Sequence, residues 1–107
     1  MWIFTSTGML SVVAHRELEE SVLVRARNPF HIGEMFPDVA VEETPNADYP
    51  SRAIIDRETF AKVMLDYSLN IDYDNFKNSI KENNFHDQCV QVWAIMMRYG
   101  LNWGSFE

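Results

Sequence analysis

The stretch Ser21-Val22-Leu23-Val24-Arg25-Ala26-Arg27 decides how this chain folds. Aliphatic residues followed by strict alternation mark a β-strand. Successive side chains of a strand point to opposite faces. Val22, Val24 and Ala26 therefore share one face, and Leu23, Arg25 and Arg27 share the other. The first face is apolar and suits a core. The second mixes an aliphatic with two guanidiniums, so what it touches is the functional question.

Working upstream, Trp2 to Phe4 reads as a short strand and Met9 to His15 as its returning partner. Thr5-Ser6-Thr7-Gly8 supplies the turn, with Gly8 suited to a positive φ. A loop over Thr5 to Gly8 sets Phe4 opposite Met9 and Ile3 opposite Leu10. A four-residue loop over Glu17 to Glu20 sets Arg16 opposite Ser21, Val13 opposite Val24 and Val12 opposite Arg25. In this register Trp2, Phe4, Met9 and Val13 join Val22, Val24 and Ala26 on the core face. Ile3, Leu10, Val12, Leu23, Arg25 and Arg27 gather on the other. A slip of one residue would move a strand's whole set to the opposite face.

Downstream, Asn28 can cap a helix whose first residue is Pro29, with Pro37 as its stop. Val39 to Thr44 reads as a strand with Val39 and Val41 inward. Pro45 to Pro50 is a loop, and Arg52 to Ile55 a fifth strand. Asp56 caps a helix whose Phe60, Val63, Met64 and Tyr67 make one stripe. Ser68 to Ile71 breaks that helix. A second starts near Asp72, and Asn83-Asn84 interrupts it. The last runs from about His86 to Tyr99, with Cys89, Val92, Trp93, Met96 and Met97 apolar and Gly100 as its left-handed stop. Trp103 and Phe106 give the tail something to dock with. The pattern predicts one α+β domain over residues 1–107. Its mainly antiparallel sheet of about five strands contains a ferredoxin-like section from Ser21 to Tyr67. Helices pack on one face, and the C-terminal third is helical.

Composition narrows the function classes. Of 107 residues, 47% are apolar and 23% charged, an ordinary globular mixture that argues against disorder. No apolar run approaches a bilayer span, and Met1 to Arg16 lacks the basic start of a signal peptide. The single cysteine, Cys89, rules out an internal disulfide and fits a reducing, cytoplasmic setting. A net charge of −7 argues against nucleic acid as a partner. Between Asn28 and Ser51 there is no Lys or Arg, while Glu34, Asp38, Glu42, Glu43 and Asp48 all occur.

Several stretches resemble a set shared by small uncharacterised bacterial and phage proteins. They are Met1 to Thr5 with Gly8, Ser11-Val12-Val13 with His15-Arg16, Val24 to Arg27, Asp48-Tyr49, and Tyr73 with Asn75-Phe76-Lys77. The resemblance spans most of the chain. It implies a compact bacterial or phage domain, and it carries no activity, cofactor or site residue.

The residues themselves offer no catalytic constellation. His86 and Cys89 stand three apart, but a zinc site needs three or four converging ligands, so no metal or other cofactor is expected. Cys89 falls in an apolar stripe rather than beside a cation, which suits a core thiol better than a nucleophile. The primary expectation is a non-enzymatic interaction or regulatory module, homodimeric or bound to another protein. Its contact face is Ile3, Leu10, Val12, Leu23, Arg25 and Arg27, an apolar patch rimmed by charge. An alternative is a binder of a small phosphate or carboxylate through Arg25, Arg27 and the helix start at Asn28. A further alternative is a phage-type inhibitor that presents the acids of Glu34 to Asp48 to a nucleic-acid enzyme.

Overall fold

The computed structural model of the chain describes residues 1–103. These fall into two compact units, Met1–Asp72 and a second that begins at Tyr73.

The first unit is a five-stranded, wholly antiparallel sheet in the order β1-β2-β3-β5-β4. The strands are β1 (Trp2–Thr5), β2 (Gly8–Ala14), β3 (Ser21–Ala26), β4 (Glu42–Glu43) and β5 (Ser51–Asp56). Helix α1 (Pro29–Met35) joins β3 to β4, and α2 (Arg57–Leu69) follows β5. Because β5 lies between β3 and β4 and runs opposite to both, β3-α1-β4 is a split βαβ unit. That is the α+β sheet with the ferredoxin-like section that the sequence predicts.

The β1–β2 register is as expected, with Ile3 opposite Leu10 and Phe4 opposite Met9. The β2–β3 register is one residue away from expectation: Val12 faces Val24, Val13 faces Leu23 and Ser11 faces Arg25. The cause lies in the connecting loop. His15 N–H still donates to the Ser21 carbonyl (3.4 Å), so the free loop is Arg16 to Glu20 and is one residue longer than assumed. The His15 imidazole holds it in shape, with Nδ1 accepting from the backbone N–H of Glu17 (3.1 Å) and of Leu18 (3.0 Å).

This slip moves three residues of the expected contact face across the sheet. Ile3, Leu10 and Val12 are not on the second face; they lie in the core with Val22, Val24, Ala26, Ala53 and Ile55. Leu10 is 2% exposed. Trp2, Phe4, Met9 and Val13, expected in the core, are displaced to the other side by the same shift. Both helices close the first face. Ile32, Met35 and Phe36 join the core from α1 and its end, and Phe60, Val63, Met64 and Tyr67 pack on it from α2. Phe36 stacks on Phe60 with centroids 6.1 Å apart, and Tyr67 Oη donates to the Glu34 carbonyl (3.4 Å).

The caps are those the sequence announces. Asn28 Oδ1 accepts from Phe30 N–H at 3.0 Å, with Pro29 in the first turn. Asp56 accepts from Thr59 N–H (2.9 Å) and from its hydroxyl (2.7 Å). Val39 and Val41 do pack inward, but from an irregular segment, and β4 is only Glu42–Glu43. Gly8 does not take a positive φ. Its role is space: a Cβ there would stand 2.5 Å from His31 Cγ. The ring can approach so closely that its Nδ1 accepts from Met9 N–H at 3.1 Å.

The second unit contains α3 (Phe76–Ser79) and α4 (Asn83–Asn102). Asn75 caps α3, accepting from Asn78 N–H at 3.2 Å. Asn83 and Asn84 start α4 rather than interrupt a helix, because the Glu82 carboxylate before them accepts from Phe85 N–H. Lys77 Nζ lies 5.0 Å from the centre of the Trp93 ring and joins the two helices. Gly100 does not stop α4. It sits inside the helix without a positive φ, and Asn102 Nδ2 donates to the Arg98 carbonyl (2.9 Å) at the true end. Phe106 lies outside the described residues.

Two glycines should respond oppositely to alanine. Gly8→Ala should cost about 1–3 kcal/mol through overpacking against His31, with part of that recovered when His31→Ala is added. Gly100→Ala meets nothing within 4 Å and should stabilise by about 0.5–1 kcal/mol. Urea denaturation of each variant measures both. The Thr59 backbone and hydroxyl bonds also hold the Asp56 carboxyl below its ordinary value. A carboxyl lowered by folding adds stability that is complete above its unfolded value and lost as pH falls through the folded one. Asp56→Asn can still cap but cannot titrate, so it should flatten the acid limb of stability below about pH 4. A pH series of urea midpoints reads this.

Candidate functional site

The second sheet face is organised in rows across the strands. Directly opposed residues on one face interact across a sheet. One row is Val13–Leu23–Ile54, read from the β2–β3 and β3–β5 pairings. The next is Trp2–Ser11–Arg25–Arg52–Glu42 and spans all five strands. An apolar row thus runs beside a polar one. Of the sequence-derived contact set, Leu23 and Arg25 lie on this face, while Ile3, Leu10 and Val12 belong to the core. Arg27 lies just past the end of β3. In their place the face carries Trp2, 69% exposed, and Ile54, 52% exposed. Neither α1 nor α2 covers it, since both pack on the other side.

The two arginines are held by a residue whose role the sequence did not reveal. Tyr49 is buried, and Arg25 and Arg27 both lie over its ring, 4.7 and 4.6 Å from the centroid. The ring's negative face attracts cations. Arg25 Nη2 also donates to the buried Ser11 hydroxyl (2.8 Å), and its Nε is buried with no acceptor. Arg27 Nη2 pairs with Asp48 at 3.2 Å in an exposed ion pair. Asn28 is occupied by its cap. The three groups of the expected anion clamp therefore each have a partner within the unit. The adjacent Asp48-Tyr49 was legible as residues, but its folding back over β3 depends on the loop.

Arg52 differs. Its Nε donates to the Tyr49 carbonyl (3.4 Å), and among the described residues its guanidinium makes no ion pair. Glu42, directly opposite on β4, makes none either among them. Beside them lies an open cavity of about 590 Å³. Leu23, Val41 and Ile54 give it apolar walls, and His15, Glu42 and Arg52 give it polar ones. Because His15 Nδ1 accepts backbone bonds, the neutral ring carries its proton on Nε2.

Catalytic chemistry finds little here. Burial pushes the Cys89 thiol up, which keeps it protonated and a poor nucleophile. Among the described residues, no three His, Cys, Asp or Glu side chains are grouped to hold a metal ion. No helix among them is long and apolar enough to cross a membrane.

The chain matches no known protein family, no curated protein and no solved structure. Functional reading therefore rests on the residues of this chain.

The Tyr49 stack makes a direct prediction. Tyr49→Phe should be nearly neutral, because the ring face is kept. Tyr49→Leu should cost about 1–2 kcal/mol by removing two cation–ring contacts. Thermal or urea unfolding of the two variants distinguishes them.

Proposed function

We propose that this protein is a non-enzymatic interaction module that docks a protein partner on the sheet face turned away from α1 and α2. The observation that carries the reading is the apolar row Val13–Leu23–Ile54, exposed at Val13 and Ile54 and half-buried at Leu23, beside the Arg25 and Arg52 guanidiniums. Apolar patches bordered by charge are characteristic of contact surfaces, and arginine is enriched where binding energy concentrates. A suitable partner places apolar side chains on Leu23 and Ile54 and a carboxylate against Arg52, whose guanidinium makes no ion pair among the described residues. The alternative of a small anion gripped by Arg25 and Arg27 has less support, because Ser11 and Asp48 already occupy them.

The test compares wild type with Ile54→Asp, a change at an exposed site that leaves the core intact. Both are immobilised, and retained proteins from the native cells are quantified. A partner kept by wild type and reduced at least about tenfold by Ile54→Asp supports the reading. Identical retention by the two baits, with circular dichroism unchanged, removes it.

A further inference from the structure

Two backbone bonds fix where the main-chain groups of β5 point. Arg57 N–H donates to the Glu20 carbonyl (2.8 Å) on the β3 side, and Thr44 N–H donates to the Pro50 carbonyl (2.6 Å) on the β4 side. Main-chain groups alternate sides along an antiparallel strand. Ser51, Ala53 and Ile55 therefore address β3, while Arg52 and Ile54 address the β4 side. Pairing with β4 ends at Glu42 and Arg52, so the N–H and carbonyl of Ile54 have no strand partner. Ile54 lines the open cavity of about 590 Å³, together with Val39 and Val41 from the irregular run before β4. All of the lining belongs to the first unit, and the volume is that of an ordinary small-molecule site.

The cavity holds one acid and one guanidinium. Arg52 Nε is anchored on the Tyr49 carbonyl, which leaves both Nη groups without an acceptor among the described residues. Glu42 stands opposite in register, yet the two side chains make no ion pair. The neighbouring acid differs, because Glu43 accepts from the Ser51 hydroxyl (3.1 and 3.0 Å).

We propose that this cavity binds a free apolar α-amino acid. Its carboxylate takes the two Nη groups of Arg52, whose planar fork suits a planar anion. Its ammonium takes Glu42, and its side chain lies on Leu23, Val41 and Ile54. The open Ile54 carbonyl gives the ammonium a second acceptor. A plain anion would set its charge against Glu42, and a plain cation against Arg52. A small zwitterion complements both charges at once. The inference does not rest on the docking reading, because the purified chain suffices for it. Both claim Arg52, so a bound amino acid competes with a partner's carboxylate there.

Titration of the full chain with L-leucine and with L-phenylalanine, followed by amide NMR shifts, tests it. The Arg52 and Ile54 amides should shift, with a Kd on the order of 100 µM. Arg52→Gln and, separately, Glu42→Gln should each weaken leucine binding at least about tenfold, as loss of a charge-assisted contact does. Glu42 is exposed, so its variant leaves the core intact, and circular dichroism checks both. Leucinamide lacks the carboxylate and N-acetylleucine lacks the ammonium, so each should bind at least about tenfold more weakly than leucine. No shift with either amino acid at about 10 mM overturns the proposal. So does leucine affinity unchanged in both variants, or N-acetylleucine binding as tightly as leucine. A protein partner lost in Ile54→Asp, with no amino acid bound by wild type, removes this inference and leaves the docking reading. Leucine bound through Arg52 and Glu42, with identical retention by the two baits, does the reverse.

Discussion

Two backbone N–H groups bonded to one imidazole nitrogen set the side of the sheet on which every residue of β1 and β2 lies. His15 Nδ1 gathers Glu17 and Leu18 into a loop one residue longer than the acidic run Glu17 to Glu20 implies. With the loop fixed, Val12 meets Val24, and Ile3, Leu10 and Val12 turn inward together. The hydrophobic pattern alone does not choose, because Phe4, Met9 and Val13 offer an apolar set of comparable size on the other side. A side-chain acceptor worth about one or two ordinary hydrogen bonds decides between two nearly equal alternations.

The outer face follows from that choice. Its polar row is chemically uneven. Arg25 is drawn down onto Ser11 and against Tyr49, Arg27 is tied to Asp48, and Arg52 makes no ion pair among the described residues. Tyr49 is the organising residue, since its ring receives two guanidiniums and its carbonyl receives a third. The strand-to-helix junction at Arg27-Asn28-Pro29 is thereby a closed structural joint. The open side lies towards β5 and Ile54.

Much of the fold was legible because its signals are local. Asn28-Pro29 and Asp56 cap helices through atoms two or three residues away. Phe60, Val63, Met64 and Tyr67 follow a period that only a helix aligns. The failures have physical causes of another kind. Glu82 is a less common cap than Asn or Asp, so Asn83-Asn84 looked like a break. Gly100 is a permissive residue, and permission to stop is not an instruction to stop. Val39 to Thr44 alternates like a strand, but Val39 and Val41 pack from irregular backbone, and pairing is confined to Glu42–Glu43. On the candidate site, Leu23 and Arg25 were placed correctly by strand alternation. Tyr49, Ile54 and Arg52 depend on which strands become neighbours, and a single strand's pattern does not contain that.

The first residue of α2 reaches back to the loop that His15 shapes. Arg57 N–H donates to the Glu20 carbonyl at 2.8 Å, and its Nε donates to the Glu19 carbonyl at 2.9 Å. These bonds join parts of the chain nearly forty positions apart, so they form only after β5 has taken its place beside β3. Arg57 therefore clasps the β2–β3 loop from the far side of the sheet, so the alignment of a local hairpin is held in part by a contact of high sequence separation, the kind that slows folding relative to purely local ones.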